Sequence, residues 1–161
     1  MSNSIIILRI SLAILLGTII GVEREIKNRP AGMRTHILVC LGACIISLIE
    51  SSFVASLSAS TESSVAYNFG RLSAQVISGI GFLGAGTILF TDRKITGLTT
   101  AASLWNTACL GIAIGYGYYL IAIVGSIFDH DAANHPRAHF EEGRNQICSS
   151  RGNDRIHQQV F

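Results

Sequence analysis

Between Ile95 and Phe128 this chain runs 34 residues without a charged side chain. Three more apolar blocks precede that run: Ile5 to Val22 with one charge, Arg9, then Ile37 to Ile49 and Leu72 to Phe90 with none. In lipid the backbone must satisfy its own hydrogen bonds, so blocks of this length are expected as membrane-spanning helices. With 49% hydrophobic residues, only 14% charged and a mean hydropathy of +0.46, the chain falls far outside the range of a soluble domain. The expected fold class is all-α: a polytopic transmembrane helical protein of four spans plus a short or truncated fifth.

The spans are expected at Ile5 to Val22, from near His36 to about Ile49 with an extension toward Leu57, at Leu72 to Phe90, and from near Gly97 to Gly115. The start has no basic residue before Ile5 and no small-x-small cleavage site, so the first block reads as a retained span. A Gly-Tyr-Gly-Tyr-Tyr break then leaves about 13 apolar residues, Tyr116 to Phe128, which is short for a crossing. They are read as a tilted span, a half-span or an extension of the fourth helix. The chain divides into a membrane domain, residues 1–128, and a polar tail, residues 129–161, expected to be disordered or non-native.

Lys and Arg sit four in the first loop (Arg24, Lys27, Arg29, Arg34), one in the second (Arg71) and two in the third (Arg93, Lys94). That alternation puts the first and third loops in the cytoplasm and the N-terminus outside. Arg9 is then expected to extend toward the outer headgroups. A net charge of +2 and the absence of a basic face interleaved with aromatics argue against nucleic acid. Cys40, Cys44, Cys109 and Cys148 show no disulfide or zinc spacing.

Small residues are the densest local signal. Thr99, Ser103, Thr107, Gly111 and Gly115 recur every four residues on the fourth span, and Ala13, Gly17 and Gly21 on the first, the pattern that lets helices approach closely in lipid. Gln75, Ser78, Thr99, Ser103 and Asn106 form a candidate polar seam. An unpaired amide at bilayer depth is costly, so Asn106 is expected to meet Gln75 or Ser78. Glu23 and Lys27 are spaced for an ion pair, Arg24, Arg29 and Arg34 for anionic headgroups, and His36 for the interfacial end of a helix. In the tail, His135 and His139 stand four apart, but no metal ligands are assigned. No nucleophile has a base within the spans and there is no nucleotide loop, so neither catalysis nor a cofactor is expected.

These segments resemble the MgtC/SapB family of bacterial inner-membrane proteins. The first-loop pattern is Gly21-Val22-Glu23-Arg24-Glu25 with Pro30-Ala31-Gly32-Met33-Arg34-Thr35-His36. The central signature runs from Ala74 through Gln75, Ser78, Gly79, Gly81 and Gly84 to Gly86. The third block is Gly97-Leu98-Thr99-Thr100-Ala101-Ala102-Ser103-Leu104-Trp105. The resemblance implies a non-enzymatic protein of the bacterial inner membrane linked to magnesium limitation, acid tolerance and virulence. It also implies action on a membrane partner such as the F-type ATP synthase, with transport of Mg²⁺ as the alternative. The bilayer, a membrane complex, Mg²⁺ and a second copy of the chain are the candidate partners. Two departures stand out: many members carry Arg where Thr96 stands, and pathogen-associated members often carry a soluble C-terminal domain that a 33-residue tail cannot supply.

Overall fold

The first helix, α1 (Asn3–Ile26), does not stop where its apolar residues do but carries Glu23-Arg24-Glu25 on its last turn. It ends because Asn28 takes a left-handed conformation at φ 50°, with the Arg29 N–H bonded to Arg24 O and the Asn28 N–H to Glu25 O. This pattern closes the helix end and reverses the chain. α2 (Met33–Ser58) then returns, its first free N–H answered by the Glu25 carboxylate, which accepts from Met33 N at 3.2 Å. The computed structural model describes residues 2–58, 69–91 and 94–134. His135, His139 and most of the expected tail lie outside the described residues.

α3 (Arg71–Gly86) is shorter than the expected third span because the chain leaves the helix at Thr87. The residues that follow form a two-stranded antiparallel hairpin, β1 (Leu89–Thr91) and β2 (Lys94–Thr96), with Leu89 opposite Thr96. Gly97, at φ 91°, turns the hairpin into α4, and a side chain there would strike the Thr87 carbonyl. α4 (Leu98–Tyr116) ends at Gly117, φ 92°, where Gly117 N–H bonds Ile114 O at 2.9 Å and Tyr118 N–H bonds Ala113 O at 2.8 Å. Both bonds satisfy carbonyls of the last turn. The Gly-Tyr-Gly-Tyr-Tyr stretch is therefore a true reversal. The weak last segment is a separate helix, α5 (Tyr119–Asn134), which neither prolongs α4 nor stops at Phe128.

Side-chain neighbours fix the directions. Gly21 meets Met33 and Gly17 meets Ile37 and Cys40, so α1 and α2 are antiparallel. Ser73 meets Tyr116 while Gly84 meets Ala101, so α3 lies antiparallel along α4. His36 pairs with Ser103 and Ser47 with Gly115, so α2 and α4 run parallel. Leu110 meets Gly125 and Asn106 meets Asp129, which turns α5 antiparallel to α4. α4 touches all four other helices and is the centre of the bundle.

The core is small and lies between the helices. Ala13, Leu16, Ile20, Cys40, Cys44, Leu48, Leu110, Ile114 and Ala122 form one cluster, and Ala43, Ile80, Ala108 and Ile112 another on the α3 side. The exterior is as apolar as the interior: Leu38, Ile7, Leu120 and Phe128 are all at least 65% exposed. A soluble bundle reverses that distribution. α1, α2 and α4 are long and apolar enough to cross a membrane, and the chain is a membrane protein.

Close approach depends on particular glycines. At Gly111 a methyl group would strike the Cys40 carbonyl and lie 3.0 Å from Ala43 Cβ; at Gly84 the neighbour is Ala101 at an ordinary 3.4 Å; at Gly42 nothing lies within 4 Å. Gly111→Ala is expected to lower stability in detergent by about 1–3 kcal/mol, as overpacking does. Gly84→Ala should cost less and Gly42→Ala nothing, and thermal unfolding of the three variants side by side gives the order.

Candidate functional site

Two polar groupings form at opposite ends of the bundle, separated by the apolar middle of α4. The first gathers around Arg24. The spacing along α1 puts Ala13, Gly17, Gly21 and Arg24 on the face turned toward α2 and α4, so Arg24 is drawn inward and only 4% exposed. Its Nη2 donates to Thr100 Oγ1 at 2.5 Å and to Pro30 O at 3.4 Å. Its Nε is buried without a hydrogen-bond acceptor among the described residues.

Beside it, His36, in the first turn of α2, is fully buried. The burial arises because Gly17 and Gly21 carry α1 directly over the start of α2. His36 Nδ1 lies 3.0 Å from Gly32 O and Nε2 lies 3.2 Å from Ser103 Oγ. A carbonyl can only accept, so Nδ1 carries the proton. Neutral His36 then accepts from Ser103, whereas protonated His36 would donate to it.

Ser103 Oγ also lies 3.4 Å from Asp129 Oδ2, and Asn106 Nδ2 donates to Asp129 Oδ1 at 3.0 Å. The hydroxyl of Ser103 holds one proton for two acceptors. The geometry therefore permits two hydrogen-bond states: Ser103 turned to His36, or Ser103 turned to Asp129 when His36 is charged. A hydrolytic triad needs the histidine between serine and acid; here the serine stands in the middle.

The second grouping is built on Glu50, which is fully buried. Its carboxylate accepts from Leu72 N (3.1 Å), Ser73 N (3.2 Å), Ser73 Oγ (2.7 Å) and Tyr116 Oη (2.5 Å). α3 starts at Gly70, whose residue type offers no side-chain cap, and a side chain from α2 supplies the acceptors for its free N–H groups. At the same end Arg9 Nη1 donates to Gly115 O at 2.6 Å and Nε to Tyr119 Oη at 3.1 Å, with the guanidinium over the Tyr119 ring. This corrects the expectation that Arg9 reaches the headgroups. The unpaired carbonyls of α4's last turn attract the cation more strongly than an outward path does.

The residues expected in a polar seam are divided between two surfaces. Ser103 and Asn106 join the Arg24 grouping, while Thr99 is exposed. Gln75 and Ser78 face outward from α3, and Asn106 pairs with Asp129 instead of either. Ser73, Ile80 and Gly84 are the buried residues of α3, so its inward face lies opposite Gln75. Of the motif residues, Glu23 pairs with Lys27 and Glu25 caps α2, while Arg24 donates to both Pro30 and Thr100. Gly32 supplies the carbonyl for His36, and Gly84 and Gly97 mediate contacts described above. Arg34, Thr35 and Trp105 are exposed, and Gly79, Gly81 and Gly86 border open space. Arg34 and Thr35, with Arg29 and Asn28, line an open hollow of about 740 Å³ at the first loop.

Asp129, Glu50, Ser73 and Tyr116 are the members that sequence reasoning passed over. Asp129 is the first charge after the long apolar run, and that position is the signal that was available. Replacing Glu50 by Ala strands four donors, so Glu50→Ala should destabilise the protein in detergent by at least 3 kcal/mol, and Ser73→Ala by roughly 1 kcal/mol. Asp129→Ala should cost about 1–3 kcal/mol, against little for Ser126→Ala on the same helix, whose hydroxyl bonds only its own backbone. Thermal melts of these four variants test the assignment.

The family model described as "MgtC family" matches residues 10–129. The chain is 39% identical over 121 residues to "Putative magnesium transporter YhiD" of Escherichia coli K12, covering 75% of this chain and 55% of that one. It is 40% identical over 134 residues to "Protein SapB" of Bacillus subtilis, covering 76% and 53%. To "Protein MgtC" of Salmonella typhimurium it is 41% identical over 121 residues, covering 75% and 48%. The chain thus spans about half the length of the curated relatives it matches. No solved structure matches it. Matched through all five helices, from the capping Arg9's neighbour Ile10 to Asp129, the chain belongs to the MgtC family.

Proposed function

We propose that the chain is the membrane part of a non-enzymatic inner-membrane protein that serves magnesium homeostasis and stress adaptation by regulating a membrane partner. The F-type ATP synthase is the partner that the family resemblance supplies. The N-terminus is read as outside, with the Arg24 grouping at the cytoplasmic end and the Glu50 grouping at the outer end. The basic first loop supports that orientation.

One observation carries the preference for regulation over transport: the carboxylates held inside the bundle are already committed to the chain's own donors. Glu50 accepts four hydrogen bonds, three on Oε2 and one on Oε1. Asp129 accepts from Asn106, and from Ser103 when that hydroxyl turns away from His36. The two acids bind α4 at Tyr116 and Asn106, ten residues or about 15 Å apart along the helix. Mg²⁺ gives up its water reluctantly and favours carboxylate oxygens in an octahedral shell. Neither acid can join the other around one ion.

The transport reading rests on the name of the YhiD relative, and two measurements separate it from regulation. Purified chain in liposomes loaded with a Mg²⁺-sensitive dye should give no saturable uptake under an imposed gradient. Capture of the chain in mild detergent from magnesium-starved cells should recover a membrane complex in stoichiometric amount. Saturable uptake without a captured complex would reverse the order of the two readings. Reporter fusions after residues 30, 94 and 135 should report cytoplasm, and one after residue 60 the outside.

A further inference from the structure

One edge of the bundle joins a cationic hollow to an apolar track. The turn between α1 and α2 leaves Asn28, Arg29, Arg34 and Thr35 exposed around the hollow of about 740 Å³. Neither guanidinium has an acidic partner or a hydrogen-bond acceptor among the described residues, and the Asn28 amide and Thr35 hydroxyl are likewise unengaged there. Of the acids on this turn, Glu23 is held by Lys27, while Glu25, which lines the hollow, accepts from Met33 N. Behind the wall, Arg24 donates to Pro30 O and adds a third guanidinium to the same end of the bundle.

Arg34 also heads one face of α2. Leu38, Gly42, Ile45 and Ile49 follow it at steps of four, four, three and four, all exposed. No polar side chain interrupts that face, and at Gly42 nothing lies within 4 Å of where a side chain would begin. From Arg34 to Ile45 the track is about 16 Å long, close to one leaflet of a hydrocarbon core about 30 Å thick. Two cations above a smooth apolar strip of leaflet length reproduce, in mirror charge, the build of a single anionic phospholipid.

We propose that the hollow binds the phosphodiester of an anionic phospholipid, such as phosphatidylglycerol, between Arg29 and Arg34, with an acyl chain laid along Leu38, Gly42 and Ile45. Guanidinium forks match phosphate oxygens in geometry as well as charge. Asn28 and Thr35 supply donors for the headgroup hydroxyls. A zwitterionic lipid would carry its own ammonium in beside two guanidiniums, which disfavours it. A soluble phosphate ester offers the same anion but leaves the apolar track uncovered. The proposal is independent of the regulatory reading above.

Native mass spectra of the full chain in mild detergent, with phosphatidylglycerol and phosphatidylcholine bearing identical chains, test it. The wild type should prefer phosphatidylglycerol by roughly 25-fold in dissociation constant, two arginines at about fivefold each. Arg29→Gln and Arg34→Gln should each lower that preference about fivefold. Thr35→Lys, which adds a cation at the rim, should raise it by a similar factor, a gain that a misfolded variant cannot give. Lys27→Gln, on the same turn but outside the hollow, should change it far less. Glycerol phosphate in large excess should not displace the lipid. Equal retention of the two lipids would overturn the proposal and leave ordinary lipid solvation. A loss in Lys27→Gln as large as in the arginine variants would overturn it in favour of diffuse surface charge, and displacement by glycerol phosphate in favour of a soluble anion. A preference unaltered in both arginine variants overturns it as well.

Discussion

The close approach of α4 to α2 sets the position of everything else in this bundle. Gly111 rests on the Cys40 carbonyl and Gly115 on Cys44 and Ser47, so the two backbones nearly touch along two turns. In water, burial of large side chains would hold such helices together; in lipid the gain comes from close packing, and only residues without bulk permit it. Because the contact is so tight, it fixes register as well as distance. With α2 and α4 locked in parallel, His36 falls level with Ser103 and Glu50 level with Tyr116. The two polar groupings are consequences of that register.

Much of this arrangement was legible in the residues. The four-residue recurrence of small side chains on α1 and α4 corresponds to the faces that meet α2, and the apolar blocks correspond to the helices, with the last block divided between α4 and α5. Two of the three motif blocks of the family resemblance, the first-loop pattern and the block from Gly97 to Trp105, converge at one end through Arg24, Gly32, Thr100 and Ser103. What periodicity cannot supply is the identity of partners across helices. Asn106 was matched to Gln75 or Ser78 because these are polar groups within an apolar run, yet the rotation of α3 about its own axis, which turns Ile80 and Gly84 inward, carries both away.

The other misreadings share a cause. Arg9 was assigned to the outer headgroups and Asp129 to the polar tail because a charge near the boundary of an apolar block ordinarily lies outside the bundle. Each is instead claimed by a polar group on another helix: the open carbonyls at the end of α4 for Arg9, the Asn106 amide for Asp129. Local composition describes what a segment prefers, while these two charges answer to neighbours more than 20 residues away. Asp129 thereby becomes a packing residue within α5, which runs past Phe128.

The capping of α3 by Glu50 makes the two helices a mechanical unit. A helix that carried its own cap could be tilted or withdrawn as an independent rod; α3 begins on a carboxylate rooted in α2, one that Tyr116 of α4 also grips. Any rotation of α2 about its long axis would withdraw the anion from the first turn of α3 and loosen α4 in the same movement. A force applied to one of these three rods is thereby transmitted to the others through a single side chain.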